Sequence, residues 1–176
     1  EKKELNKIIL KHYSILNLLV KLNKNNSSIE TTKAMFLFHL IHKLKTDNII
    51  KQLHKQLRDH INQNGMHNSM NPCAHAEYIN HLYEIKNICL FFEFSPPKEI
   101  EFQIINMSAV LKNLFHKDGM IALFNGSNNA NIESITKINN LINDITAKNL
   151  TKIDNGLAIF ENNKFFHCLN FCNFFI

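Results

Sequence analysis

A single arginine, three prolines, four glycines and four cysteines in 176 residues leave several classes of protein out. With Arg58 alone, the chain lacks the forked donors that read guanine edges and grip phosphates, so no nucleic-acid partner is expected. A polyanion would be held mainly by lysines, histidines and amides. Cys73, Cys89, Cys168 and Cys172 are too sparse for a disulfide scaffold, and Cys89 falls in an apolar helical run where a buried thiol is expected. No apolar run reaches the roughly 18 uninterrupted residues of a membrane span. Lys, Asn or His interrupts every stretch, Ile15 to Val20 and Met35 to Leu44 included. A Gly-rich phosphate loop, a serine nucleophile elbow, paired-carboxylate spacing and a repeat of fixed length are also missing. The chain opens on Glu1 with no initiator Met and no leader-like segment, which reads as an incomplete amino terminus and leaves the compartment open.

What is present is globular. Hydrophobic residues make up 45% and charged residues 20%, enough for one compact core. The net charge is +5, and the ten histidines add to it only at acidic pH.

Apolar spacing of three and four predicts a first helix through Leu5, Ile8, Ile9, Tyr13, Leu16, Leu19 and Val20, ending near Asn23 to Ser28. Ser27 with Glu30 has the form of a capping box. The helix it opens carries Ala34, Leu37, Phe38, Ile41 and Leu44, and Thr46 is placed to cap a third with Ile50, Leu53, Leu57 and Ile61 on one stripe. Asn71 and Pro72 start a fourth, with Tyr78, Leu82, Ile85, Cys89 and Phe92 inward. Ser95-Pro96-Pro97 ends it and begins a fifth, facing inward with Ile104, Ser108, Leu111, Leu114 and Phe115. Asp118-Gly119 and Asn125-Gly126 then bracket Met120 to Phe124 as turn, short extended piece and turn. Ile132, Ile135, Ile138, Ile142 and Ile145 restore helical spacing, and Gly156 to Phe160 with Lys164 to Leu169 flank Asn162-Asn163 as a candidate hairpin. The fold class expected is all-α: antiparallel helical hairpins with a short β-like C-terminal tail. Phe160, Phe165, Phe166, Phe171, Phe174 and Phe175 exceed what a lone hairpin can cover, so the tail is expected to pack back on the helices or join another chain.

Two stretches carry a family resemblance. Ile61-Asn62-Gln63-Asn64-Gly65-Met66-His67-Asn68-Ser69-Met70-Asn71-Pro72, followed after a long helix by His116-Lys117-Asp118-Gly119-Met120-Ile121-Ala122-Leu123-Phe124-Asn125-Gly126, resembles the heparinase II/III-like proteins of bacteria. In that family a helix ends in a polar residue, Gly, a variable residue and His, and Ser or Asn with Pro opens the next. A loop of the form His-x-Asp-Gly-x-x-Ala-Leu-Phe-Asn follows about two helices later. The similarity runs over roughly residues 28–160, most of it in 61–126, and Asn155-Gly156-Leu157 is similar to the family's Ser-Gly-Tyr entry into its next domain.

The resemblance implies a partial α/α toroid over residues 1–154, with residues 155–176 as the start of a β-sandwich that the chain lacks or as an aberrant tail, in the manner of a fragment or a shortened gene product. It implies an acidic, uronate-containing polysaccharide as partner, cleaved by β-elimination, with no cofactor. His67 and His75 take the catalytic positions, and Asn68, Asn71, Asp118 and Asn125 the substrate-binding ones. Ala74 stands where many relatives have Tyr, so this chain alone is expected to show little or no cleavage. The alternative is a noncatalytic helical remnant that binds a glycan or a protein.

The same residues have plainer readings. His67 is either a donor to a carboxylate or a loop histidine bonded to the start of the next helix. Asn71 suits an N-cap, and Asp118, Asn125 and Gly126 suit turns. His39, His42, His75 and His81 are expected to be surface or partly satisfied, because no carboxylate or Cys completes a metal shell at helical spacing. His167-Cys168 with Cys172 is a weak thiolate pair, and no metal is expected there.

Overall fold

The structure is a computed structural model that describes residues 2–22, 28–116, 118–127, 132–142, 157–161 and 166–170. Six helices make its body: α1 (Lys2–Leu22), α2 (Ile29–Ile41), α3 (Asp47–His60), α4 (Pro72–Phe91), α5 (Lys98–Leu111) and α6 (Ile132–Leu141). A 3-10 turn, Lys112–Leu114, extends α5. β1 (Leu157–Glu161) and β2 (Phe166–Asn170) pair antiparallel with Leu157 opposite Asn170. No helix among the described residues is long and apolar enough to cross a membrane.

α4 is the hub, packing against α2, α5 and α6, while α3 packs on α2 and α1 reaches the body through α2. Ile79, Leu82, Ile85 and Cys89 of α4 meet Ile100, Ile104, Met107 and Leu111 of α5, all fully or nearly fully buried. Leu53 and Leu57 of α3 and Ile135 and Ile138 of α6 close the core. At roughly 1.5 to 3 kcal/mol per buried large aliphatic side chain, this cluster dominates the stability of the fold.

The starts and stops have local causes. Asn71 has extended backbone (φ −94°, ψ 118°) and its side chain accepts from the Ala74 amide at 2.9 Å, with Pro72 just behind it in the first turn. Two expected caps differ. The α2 cap is Ser28, whose Oγ accepts from the Thr31 amide at 3.3 Å, since the helix begins one residue later than a Ser27 cap requires; Ser27 lies outside the described residues. Thr46 occupies the α3 cap position in an αR conformation (φ −100°, ψ −9°) that leaves its side chain without a cap hydrogen bond.

The inner faces of α1 and α2 also differ from expectation. In α2 the buried residues are Ile29, Thr32, Met35, Phe36 and Phe38, whereas Ala34 and Ile41 are exposed, and the expected Leu44 lies beyond the helix end and is exposed too. Apolar residues are spread around that helix, so spacing does not single out one face. In α1, Leu5, Ile8, Ile9, Ile15 and Leu18 are exposed, and among its described side chains only Tyr13 and Leu16 are apolar and packed on the core. The side chains of Leu19 and Val20, the tail phenylalanines, His167, Cys168 and Cys172, and the continuation at Ile145, lie outside what is described.

Candidate functional site

The first motif forms a tight connection from α3 to α4. Asn62 donates its amide to the Met66 carbonyl at 2.9 Å, and its side-chain Oδ1 accepts from the Asn64 and Met66 amides at 3.0 Å each. Ile61 and His67 face each other as an isolated antiparallel bridge. Gly65 makes the bend at φ +87°, where a Cβ would stand 2.6 Å from Asn106 Nδ2. The loop is therefore pressed against α5.

From this loop His67 is tied to both helices. Its amide donates to His75 Nδ1 at 3.1 Å, and His75 Nε2 lies 2.9 Å from the Met107 carbonyl. A backbone amide donates only, so His75 Nδ1 is bare and Nε2 carries the proton given to Met107. His75 is wholly buried, which with His67 nearby pushes its pKa down to about 4 despite the Met107 bond. It is a neutral ring bonded at both nitrogens, not a surface histidine. Removing or adding a proton there breaks one of the two bonds.

His67 itself is half-buried. Its Nδ1 accepts from the Ser69 amide at 3.2 Å and lies 2.7 Å from Ser69 Oγ, so the neutral ring carries its proton on Nε2. Burial, then the neighbouring His60, push its pKa down to about 4. At neutral pH it is an uncharged hydrogen-bond donor.

Tyr78 was hidden in the α4 core stripe and joins this site. Its ring centroid lies 5.3 Å from that of His67 and 5.7 Å from that of His60, with the two histidines 5.8 Å apart. Its hydroxyl is buried without a hydrogen-bond partner, and burial, Glu30 and Asp59 raise its pKa so that it stays protonated. Its position one turn past Ala74 and His75 is the signal that places it on their face.

The second motif folds back as expected from its turns. Phe115 and Ile121 form an antiparallel bridge, and Gly119 (φ +81°) and Gly126 (φ +78°) hold left-handed backbone. The two motifs meet, 54 residues apart in sequence: Asn71 Nδ2 donates to the Asn125 carbonyl at 2.9 Å. Asn125 Nδ2 returns a bond to the Met70 carbonyl at 3.1 Å, and Ser127 Oγ donates to Asn71 Oδ1 at 3.1 Å.

Of the six expected site residues, the structure thus joins His67 to His75 and Asn71 to Asn125. Asn68 is exposed, and binds the α3 end through Asp59 and His60 carbonyls at 2.6 and 2.8 Å. Asp118 is exposed and accepts from the Met120 amide at 2.9 Å within its own turn. Away from this site, His39 bonds Tyr13 Oη and the Lys45 carbonyl, and His81 pairs with Glu30 at 2.9 Å and with Glu84 at 3.3 Å. Among the described residues, no group of three or more His, Cys, Asp or Glu side chains is placed to hold a metal ion.

No family model, curated protein or solved structure matches this chain.

Proposed function

We propose that the chain is a helical domain of the heparinase II/III-like class, a partial α/α toroid of antiparallel hairpins ending in a β-like tail. It binds an acidic, uronate-containing polysaccharide across the His67, Asn68, Asn71 and Asn125 surface. The observation that carries this reading is the pair of bonds from Asn71 Nδ2 to the Asn125 carbonyl and from Asn125 Nδ2 to the Met70 carbonyl, which join the two loops that the resemblance assigns to one cleft. His67 offers Nε2–H to a uronate carboxylate, a donor role that needs no change of charge. Asp118 stands at the rim of the second loop.

β-Elimination needs a group that takes the proton next to the carboxylate. His67 Nδ1 and both nitrogens of His75 are already bonded, and Tyr78 holds its proton, so this chain by itself binds without cleaving. A β-sandwich supplied in cis or in trans provides the remaining groups. Titration with a galacturonate oligomer, followed by loss of binding in His67→Ala and by unsaturated-uronate absorbance, tests both halves. Binding that is absent, or indifferent to His67→Ala, refutes the site; absorbance well above that variant's refutes the inactivity.

The exposed Leu5, Ile8 and Leu18 of α1 favour the second reading, a noncatalytic domain that docks a protein partner.

A further inference from the structure

One side of α1 stays open among the described residues. Leu5, Ile8, His12 and Ile15 recur at three and four residues and so share that side, and the three apolar ones are 57%, 50% and 46% exposed. The adjoining side, with Tyr13 and Leu16, rests on the core. Along the opposite flank run Lys7, Lys11, Ser14 and Leu18, all exposed, with exposed Lys3 one turn before Lys7. Lys3, Lys7 and Lys11 form no ion pair among the described residues. Over its 21 residues the helix holds five lysines against a single acid, Glu4.

An aliphatic row bordered by unpaired lysines matches a surface that is oily below and negative above, which is the surface of an anionic bilayer. A closed protein groove fits less well. Such grooves read an apolar residue at every step of the seam, whereas His12 interrupts this one and would have to give up its water. The open side also has no Trp, Phe or Arg to serve as an anchor. Leu18, standing on the lysine flank, suits a fluid boundary better than a groove of fixed shape. We propose that α1 lies flat on an anionic lipid surface, with Leu5, Ile8 and Ile15 below the headgroups and Lys3, Lys7 and Lys11 among their phosphates and carboxylates. The apolar side enters about 5 to 10 Å, and the helix rests on the bilayer without crossing it, being neither long nor apolar enough to span. The inference does not rest on the polysaccharide reading. It gives the side that the second reading offers to a protein a different occupant.

The test is flotation of the full chain with vesicles through a density gradient, which leaves aggregates behind. The protein is expected to rise with vesicles of equal parts phosphatidylserine and phosphatidylcholine, and to stay down with phosphatidylcholine alone. Ile8→Gln with Ile15→Gln, which keeps good helix formers in the row, should weaken binding about tenfold or more. Lys7→Gln with Lys11→Gln should weaken it about fivefold per lysine. All four positions are exposed, so an unchanged thermal transition verifies the fold of each variant. His67→Ala should float like the parent protein, so failure of the polysaccharide site and failure of the lipid surface give different results. Equal flotation with both kinds of vesicle, or flotation indifferent to the isoleucine pair, overturns the proposal. A chain that stays off the vesicles as a monomer leaves this side of α1 to a protein partner, and one that forms a dimer which the isoleucine variant dissolves assigns it to a second copy. Either result overturns the proposal.

Discussion

His75→Phe separates a structural histidine from a titrating one. Phenylalanine keeps most of the ring volume in a wholly buried position but leaves the His67 amide and the Met107 carbonyl without the ring. An orphaned buried polar group costs about 1 to 3 kcal/mol, so at pH 7 the variant should be less stable by about that amount. For a chain of this size that lowers Tm by roughly 2 to 4 °C per kcal/mol. Acid reverses the comparison. Histidine in the unfolded chain takes up a proton near pH 6.5, whereas folded His75 resists until about pH 4. Between these values the unfolded state binds more protons, and each unit fall in pH costs the wild-type fold about 1.4 kcal/mol through this residue. By pH 5 that is about 2 kcal/mol, which the phenylalanine variant does not lose. Urea unfolding of both proteins at pH 7 and pH 5 should therefore show the gap between them closing on acidification. A gap of the same size at both pH values would refute the assignment of His75 as neutral and doubly bonded.

Four further substitutions have definite outcomes. Tyr78→Phe deletes a buried hydroxyl that has no partner, so stability should stay level or rise by up to about 1 kcal/mol; a loss beyond that in thermal melts would mean that the hydroxyl is bonded. Gly65→Ala puts a Cβ against Asn106 at φ +87° and should cost about 1 to 3 kcal/mol, with part recovered in the Gly65→Ala, Asn106→Ala double variant. Asn71→Ala removes both a helix cap and the tie to Asn125, and should cost about 1 to 2 kcal/mol and speed amide exchange across residues 118–127. Asn125→Ala should speed the same exchange while the first turn of α4 stays protected.

The middle of the chain was the most legible part. Asn71-Pro72 and Ser95-Pro96-Pro97 are punctuation strong enough to set helix limits, and of the α4 stripe Tyr78, Leu82, Ile85 and Cys89 are buried while Phe92, at the C-cap, is half-buried. α2 was harder because its apolar residues are spread around the helix and it packs on α1, α3 and α4, so there is no preferred face to read. The outward faces of α1 could not be foreseen at all, since spacing tells which residues share a side and not whether anything covers that side. At the candidate site, the turn and cap roles of Asn71, Asp118 and Asn125 followed from local chemistry. The tautomer of His75 did not: it is fixed by one donor eight residues back and one acceptor 32 residues on. Tyr78 escaped notice because a core aromatic and a site phenol occupy the same helical position until burial without a partner tells them apart.

Among the described side chains of α1, the apolar ones that rest on the core are Tyr13 and Leu16. Tyr13 stacks on Phe38 at 3.9 Å between centroids and its hydroxyl meets His39 Nε2 at 2.6 Å, while Leu5, Ile8, Ile9 and Leu10 stand in the open on the same helix. A 21-residue helix whose described apolar anchors are Tyr13 and Leu16 is expected to come loose as a unit before the α4–α5 core melts. Thermal unfolding is then expected in two stages, with Tyr13→Ala lowering the first and sparing the second. Trypsin at moderate temperature should crop the chain at Lys3, Lys7 and Lys11 and leave a shortened protein that still melts cooperatively.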